Sequence, residues 1–148
     1  MENICPPIVL DTNVLVAGAC RRRGSAAYRV LLAVLQRRVP IMLTQEIVAE
    51  HEDVLARPNV RQLTGLTVKQ SSDLVLELLS LSHQAQLHFS WRPTLMDEAD
   101  NKFIEAAIAS SAIIITYNVR DFARSDLAKY GWEVMTPIEF TSLFDLES

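Results

Sequence analysis

The sequence predicts an α/β fold, a mainly parallel sheet covered by helices on both faces. Three observations carry that reading. Short, β-branched apolar runs recur along the chain: Ile8-Val9-Leu10, Ile41-Met42-Leu43 and Ala112-Ile113-Ile114-Ile115. Segments of helical apolar spacing lie between them, with helix-start signals at the joins. The 148 residues, 49% hydrophobic and 22% charged, suit a single domain over residues 1–148. A chain of this size buries roughly 70% of its unfolded surface.

The elements follow in order. Pro6-Pro7 lead into a buried strand near 8–10, with Asp11 at its C-terminal end. Ser25 caps a helix near 25–37, whose inward positions are Ala27, Val30, Leu31, Val34 and Leu35. The strand Ile41–Leu43 passes through Thr44 into a helix near 45–56, which Pro58 stops. A polar, irregular stretch is expected up to Thr67, which with Gln70 forms the capping box of a helix near 68–82. A short strand over 86–90, a helix over 98–111 and a strand over 112–116 come next. A short helix over 121–130 ends at Gly131. The last strand runs from Trp132 to Met135, and Thr136-Pro137-Ile138-Glu139 opens a final helix as a capping box with proline in its first turn.

Bulk properties remove some functions. A net charge of −4 argues against a basic protein that coats nucleic acid, though not against a nucleic-acid enzyme. No apolar stretch approaches the ~18 residues of a membrane span. The start MENICPP lacks the basic and apolar regions of a secretory signal. Cys5 and Cys20 have no metal-ligand spacing and read as reduced thiols. A cytoplasmic protein with no membrane association is the expectation.

The chemistry lies in the carboxylates. Asp11 closes a strand, and in open α/β sheets ligands bind at the carboxyl ends of strands. Asp100 falls near the middle of the apolar face made by Phe103, Ile104, Ala107 and Ile108, with Asp97 one turn earlier on the same side. A buried, unpaired carboxylate is costly, so it must be capped, hydrogen-bonded or metal-bound. Glu50 flanks the face on which Ile47, His51, Val54 and Leu55 point inward. Asp121 follows the strand 112–116 by a few residues. Strand ends share one edge in a parallel sheet, and a helix feeding a strand begins at that edge. Asp11, Asp100 and Asp121 therefore converge. Mg²⁺ or Mn²⁺, hard cations that prefer oxygen ligands, would relieve their repulsion. Such an ion activates a water and polarises a phosphoryl oxygen, so the pattern reads as metal-dependent phosphoryl transfer or hydrolysis.

These residues resemble a known family. The run from Ile8 through Asp11-Thr12-Asn13 to Val16 is similar to the opening strand of PIN-domain nucleases. Glu50 resembles the family's helix glutamate. The segment Asp97-Glu98-Ala99-Asp100-Asn101-Lys102-Phe103 resembles its central acidic motif, and Ile115 to Phe122 its last. Thr136 to Phe140 is similar to the tail of prokaryotic members. The resemblance covers nearly the whole chain. It implies a three-layer α/β/α sandwich and an endoribonuclease that cleaves single-stranded RNA with Mg²⁺ or Mn²⁺. It also implies a VapC-like toxin, dimeric or of higher order, restrained by a cognate antitoxin.

In that reading Asp11, Glu50, Asp100 and Asp121 are catalytic. Asp11 and Asp100 hold the main ion, with Glu50, Asp121 and Asn118 as further ligand candidates. Thr12, Asn13, Asp97 and Thr116 support them. Arg21, Arg22 and Arg23, expected in the loop after the Asp11 strand, would steer the RNA backbone. Two departures stand out: Asn118 where many relatives have aspartate, and Met96 where close relatives often have arginine.

Rival readings are weaker. A haloacid-dehalogenase-like phosphatase needs a second aspartate two residues after the first, and that position is Asn13. A receiver domain needs a lysine after a late strand, which is missing after Thr116 and after Met135. A degenerate PIN fold that binds without cleaving, and a PIN nuclease of RNA processing, are the remaining alternatives. His51, His83 and His88 are assigned no catalytic role.

Overall fold

The structure is a computed structural model that describes residues 5–84, 102–103, 106–107, 112–123, 133–144 and 146. Its sheet is built from β1 (Ile8–Leu10), β2 (Met42–Leu43), β3 (His83–Gln84), β4 (Ile113–Ile115) and β5 (Glu133–Met135). The helices are α1 (Thr12–Ala19), α2 (Ala26–Leu35), α3 (Gln45–Ala56), α4 (Pro58–Thr64), α5 (Val68–Leu81), α6 (Val119–Ala123) and α7 (Pro137–Leu143). Residues 102–103 and 106–107 are also helical.

All strand pairs among the described residues are parallel. β1 pairs with β4 in the register Ile8↔Ile113 to Leu10↔Ile115, β4 with β5, and β2 with β3. One parallel bridge, Ile8↔Ile41, joins the two ladders, and the Ile8 amide donates to the Pro40 carbonyl at 2.9 Å. The strand order is therefore β3-β2-β1-β4-β5. The chain moves one way from β1 to β3, then reverses to place β4 on the other side of β1. Parallel connections are right-handed as a rule, so a reversal of direction brings helices to both faces of the sheet, as a three-layer sandwich requires.

The central strands are apolar because both their faces are covered. Ile8, Val9, Leu10, Ile114 and Ile115 are at most 1% exposed. Each such side chain contributes about 1.5–3 kcal/mol by leaving water. α1 packs on α2, and α3 on α5. Gly18 permits the first contact: a Cβ there would lie 3.0 Å from the Ala27 carbonyl oxygen and 3.1 Å from the Leu31 Cβ. The caps at Ser25, Thr67 and Thr136 form as the sequence predicts, the last two as complete capping boxes, and Thr44 caps α3.

Three expectations change. The strand keeps its expected bounds at Ile8–Leu10, but Thr12 at once begins α1, a helix not expected there. Asp11 is the extended residue before the helix, and Val14, Leu15, Gly18 and Ala19 then recur with helical spacing as its buried side. The stretch after Pro58 is α4 rather than irregular chain. Proline ends α3 by its effect on Arg57 yet fits the first turn of the next helix, and Gly65, at φ 73°, closes that helix in the left-handed region. α6 begins at Val119, two residues before the expected start. The strand placed over 86–90, Asp97, Asp100, Met96, Gly131 and Trp132 lie outside the described residues.

Candidate active site

The reversal of chain direction falls between β1 and β4, so the crevice at their C-terminal ends is the switch point of the sheet. Asp11 and Thr116 stand there on adjacent strand ends. The Asp11 amide still donates to the Ile115 carbonyl at 3.0 Å, and the Thr116 amide to Met135 at 2.9 Å. The Thr116 hydroxyl donates to Asp11 Oδ2 at 2.7 Å and accepts from the Asn118 amide at 3.0 Å.

Asp11 is only 6% exposed. It is the residue before α1, in extended backbone geometry. Burial pushes its carboxyl above the usual range. The Thr116 hydroxyl opposes that rise, the charge of Glu50 adds to it, and hydrogen bonds from the Thr12 and Asn13 backbone oppose it. Asp11 and Glu50 therefore sense each other as like charges.

Glu50, on α3, has different company. One carboxylate oxygen accepts from the Thr12 hydroxyl, and the other is 3.0 Å from Lys102 Nζ. The lysine side chain is 15% exposed and that of Glu50 28%, so the pair is largely withdrawn from water. Lys102 also sits 5.4 Å from the centre of the Phe103 ring.

His51, the next residue of α3, is fully buried beside Phe103, with ring centres 6.4 Å apart. Its Nδ1 is 2.9 Å from the Thr12 hydroxyl oxygen. That hydroxyl has one proton and gives it to Glu50, so His51 Nδ1–H is the donor to Thr12. Burial lowers the histidine to about 4, against a raising effect of Glu50 and a further lowering by Lys102. The ring is neutral, and its Nε2 meets no donor among the described residues. A chain of contacts thus runs from His51 through Thr12 and Glu50 to Lys102.

The structure brings Asp11, Thr12, Glu50 and Thr116 together. Asn13 reaches Asp11 through its backbone, while its side chain faces solvent. Asn118 is exposed and enters through its backbone amide. Asp121 lies on α6 as a backbone position, and its side chain is not described. Arg21, Arg22 and Arg23 are exposed, but they follow α1 and not β1 directly. Eight helical residues, about 12 Å of helix, intervene between Asp11 and that loop. The loop still begins near the sheet edge, since the Cys20 thiol acts electrostatically on the Tyr117 hydroxyl and helps burial raise it.

Lys102 and His51 are the residues that sequence reading missed. Lys102 had one signal, its place two residues after Asp100 in the sequence. His51 had only its inward position.

The oxygen donors fit a hard divalent ion. Asp11 is buried, its charge is disfavoured where it stands, and among the described residues no cation balances it. No group of three or more metal-ligating side chains is assembled among the described residues, a set that excludes Asp97 and Asp100. None of the described helices is long and apolar enough to cross a membrane.

Residues 7–120 match a family described as PIN domain. The chain is also similar to an uncharacterized protein, MJ1680, of Methanocaldococcus jannaschii. The two are 26% identical over 154 aligned positions, covering 98% of this chain and 96% of that protein.

Proposed function

This chain belongs to the PIN-domain family, and from that premise we propose that it is a metal-dependent endoribonuclease of single-stranded RNA, acting as the toxin of a toxin–antitoxin pair. PIN domains are generally nucleases. The observation that carries the finer reading is Asp11: a buried carboxylate at the switch point of the sheet, held by a hydroxyl and backbone amides and by no cation among the described residues.

In this reading Asp11 and Asp100 hold the ion, while Glu50 and Asp121 complete the acidic field. Bound there, Mg²⁺ or Mn²⁺ would lower the pKa of a water and polarise a phosphoryl oxygen. Thr116 fixes the Asp11 carboxylate through Oδ2. Thr12 fixes Glu50 and is itself held by His51. Glu50, with Asp121, would orient the attacking water. Cleavage would leave a 5′-phosphate and a 3′-hydroxyl. Arg21, Arg22 and Arg23, all exposed, would draw the RNA backbone toward the edge. The reading includes a homodimer or higher oligomer and a cognate antitoxin covering the site.

The test is incubation of pure protein with labelled single-stranded RNAs in Mg²⁺, in Mn²⁺ and in EDTA. Metal-dependent cleavage that disappears in a folded Asp100→Asn variant is expected. Equal activity in that variant, free of contaminating nuclease, would sink the assignment. Mn²⁺ binding with no cleavage of any RNA would favour a binding protein on a degenerate site, a reading that the exposed Asn118 supports. Cleavage without growth inhibition on expression would favour RNA processing over toxicity.

A further inference from the structure

We infer that Lys102 serves as a built-in second cation, which limits the site to one divalent ion, placed at Asp11. The inference rests on the proposed metal-dependent reading and concerns how many ions that site takes.

Its basis is an asymmetry of charge. Both Glu50 oxygens are engaged, one by the Thr12 hydroxyl and one by Lys102 Nζ at 3.0 Å. An ion bound directly to Glu50 would share an oxygen with the hydroxyl or the ammonium and would meet the like charge of Lys102 at close range. The lysine is not a loose surface charge. Its side chain is 15% exposed, and its Nζ lies within cation–π range of the adjoining Phe103 ring, whose side chain is 1% exposed. The hydroxyl is equally fixed, since Thr12 is 4% exposed and receives the His51 Nδ1–H. Asp11 differs: its described partners are the Thr116 hydroxyl and the Thr12 and Asn13 backbone, all dipoles.

A unit positive charge 3.0 Å from Glu50 does electrostatically what a second ion would do there. It raises no demand for further ligands, and it repels a second divalent ion from the Glu50 side. Lys102 is thus a positioning residue. It acts on Glu50 and on metal occupancy, and no contact with substrate is assigned to it.

The test counts Mn²⁺ ions on the full chain by electron paramagnetic resonance of free Mn²⁺, with no RNA present. Wild type, Lys102→Met, Lys102→Gln and Lys102→Arg are compared, and far-UV circular dichroism confirms that each is folded. Wild type and Lys102→Arg are expected to bind one ion per chain. Both neutral variants are expected to bind a second, with Mn²⁺ affinity at the Glu50 side rising roughly tenfold or more. Two ions on wild type, or one ion on every variant, would overturn the inference. Absence of Mn²⁺ binding to wild type would overturn the inference and the metal-dependent reading together. One ion bound to wild type and two to the neutral variants, with no RNA cleaved, would leave the inference standing and remove only the nuclease reading.

Discussion

Asp11 and Glu50 are two carboxylates of one pocket with opposite histories. Asp11 ends a strand, is 6% exposed, and has burial as the main influence on its carboxyl. Glu50 sits on the flank of a helix, is partly exposed, and has a cation on one oxygen and a hydroxyl on the other. The strand-end carboxylate has no counter-charge among the described residues, whereas the one on the helix flank is already balanced. Acidity alone therefore does not make two residues equivalent ligands. The difference lies in what each has for company before any ion arrives.

The most severe way to break this contrast is Asp11→Asn. Cleavage of single-stranded RNA should fall by roughly 10³-fold, because the charge that holds the ion is gone. Stability should move the other way. Since burial raises the folded carboxyl above its unfolded value of 3.8, the metal-free native state favours the proton. The stability this contributes is present below pH 3.8 and is lost as pH rises through the raised folded value. Metal-free Asp11→Asn should not show that loss, as thermal melts across pH would reveal. A metal-free wild type no less stable at neutral pH than the variant would remove the idea of a disfavoured charge.

His51 supplies the opposite slope and the next largest effect. Its folded value of about 4 lies below the unfolded 6.5. The unfolded chain therefore takes up a proton first as pH falls. Acidification through that window should cost about 3 kcal/mol. The full contribution is present above pH 6.5 and is lost as pH falls to about 4. Denaturant unfolding of His51→Gln at pH 7 and at pH 4.5 should show a smaller loss than wild type. An equal loss in both would mean that other groups govern acid stability.

Thr116→Val sharpens the Asp11 side further. It removes the hydroxyl at 2.7 Å from Oδ2 and leaves the Asn118 amide without its acceptor. Metal affinity should drop by roughly 10- to 100-fold, as outer-shell changes typically produce. Isothermal titration with Mn²⁺ would measure it, and an unchanged affinity would place the ion elsewhere. The smallest effect is expected at Asp53. Asp53 is on the same helix as Glu50 and pairs with Arg57 just past its end at 2.8 Å, but the side chains are 68% and 55% exposed. Asp53→Asn should change stability by no more than about 0.5 kcal/mol. A larger change would show that exposure is a poor guide to which ion pairs of this helix matter.

Much of this was legible in the sequence because strand cores and caps have local signatures. Ile8–Leu10 and Ile113–Ile115 are apolar on both faces, and Thr67 with Gln70 announces a helix start by chemistry alone. α1 was not legible, because Val14 and Val16 are β-branched and continue the strand's composition. Its buried side packs on α2, where Gly18 allows the close approach, and that contact is not written in local composition. α4 was hidden by polarity, its buried residues being Val60 and Thr64. In the pocket, Asp11 and Thr116 could be read from strand ends, which are fixed by topology. Lys102 and His51 could not, since their meaning depends on Glu50 and Thr12, residues distant in sequence and joined only by folding.

The ladder bonds at the pocket have a consequence for exchange with solvent. The amides of Asp11 and Thr116 are closed onto Ile115 and Met135, across neighbouring strands. Catalytic groups on loops can open while the scaffold stays shut. Here the two residues on adjacent strand ends cannot part unless β1, β4 and β5 separate. Their amide deuterium uptake should accordingly be among the slowest in the molecule, set by global unfolding rather than by local fluctuation.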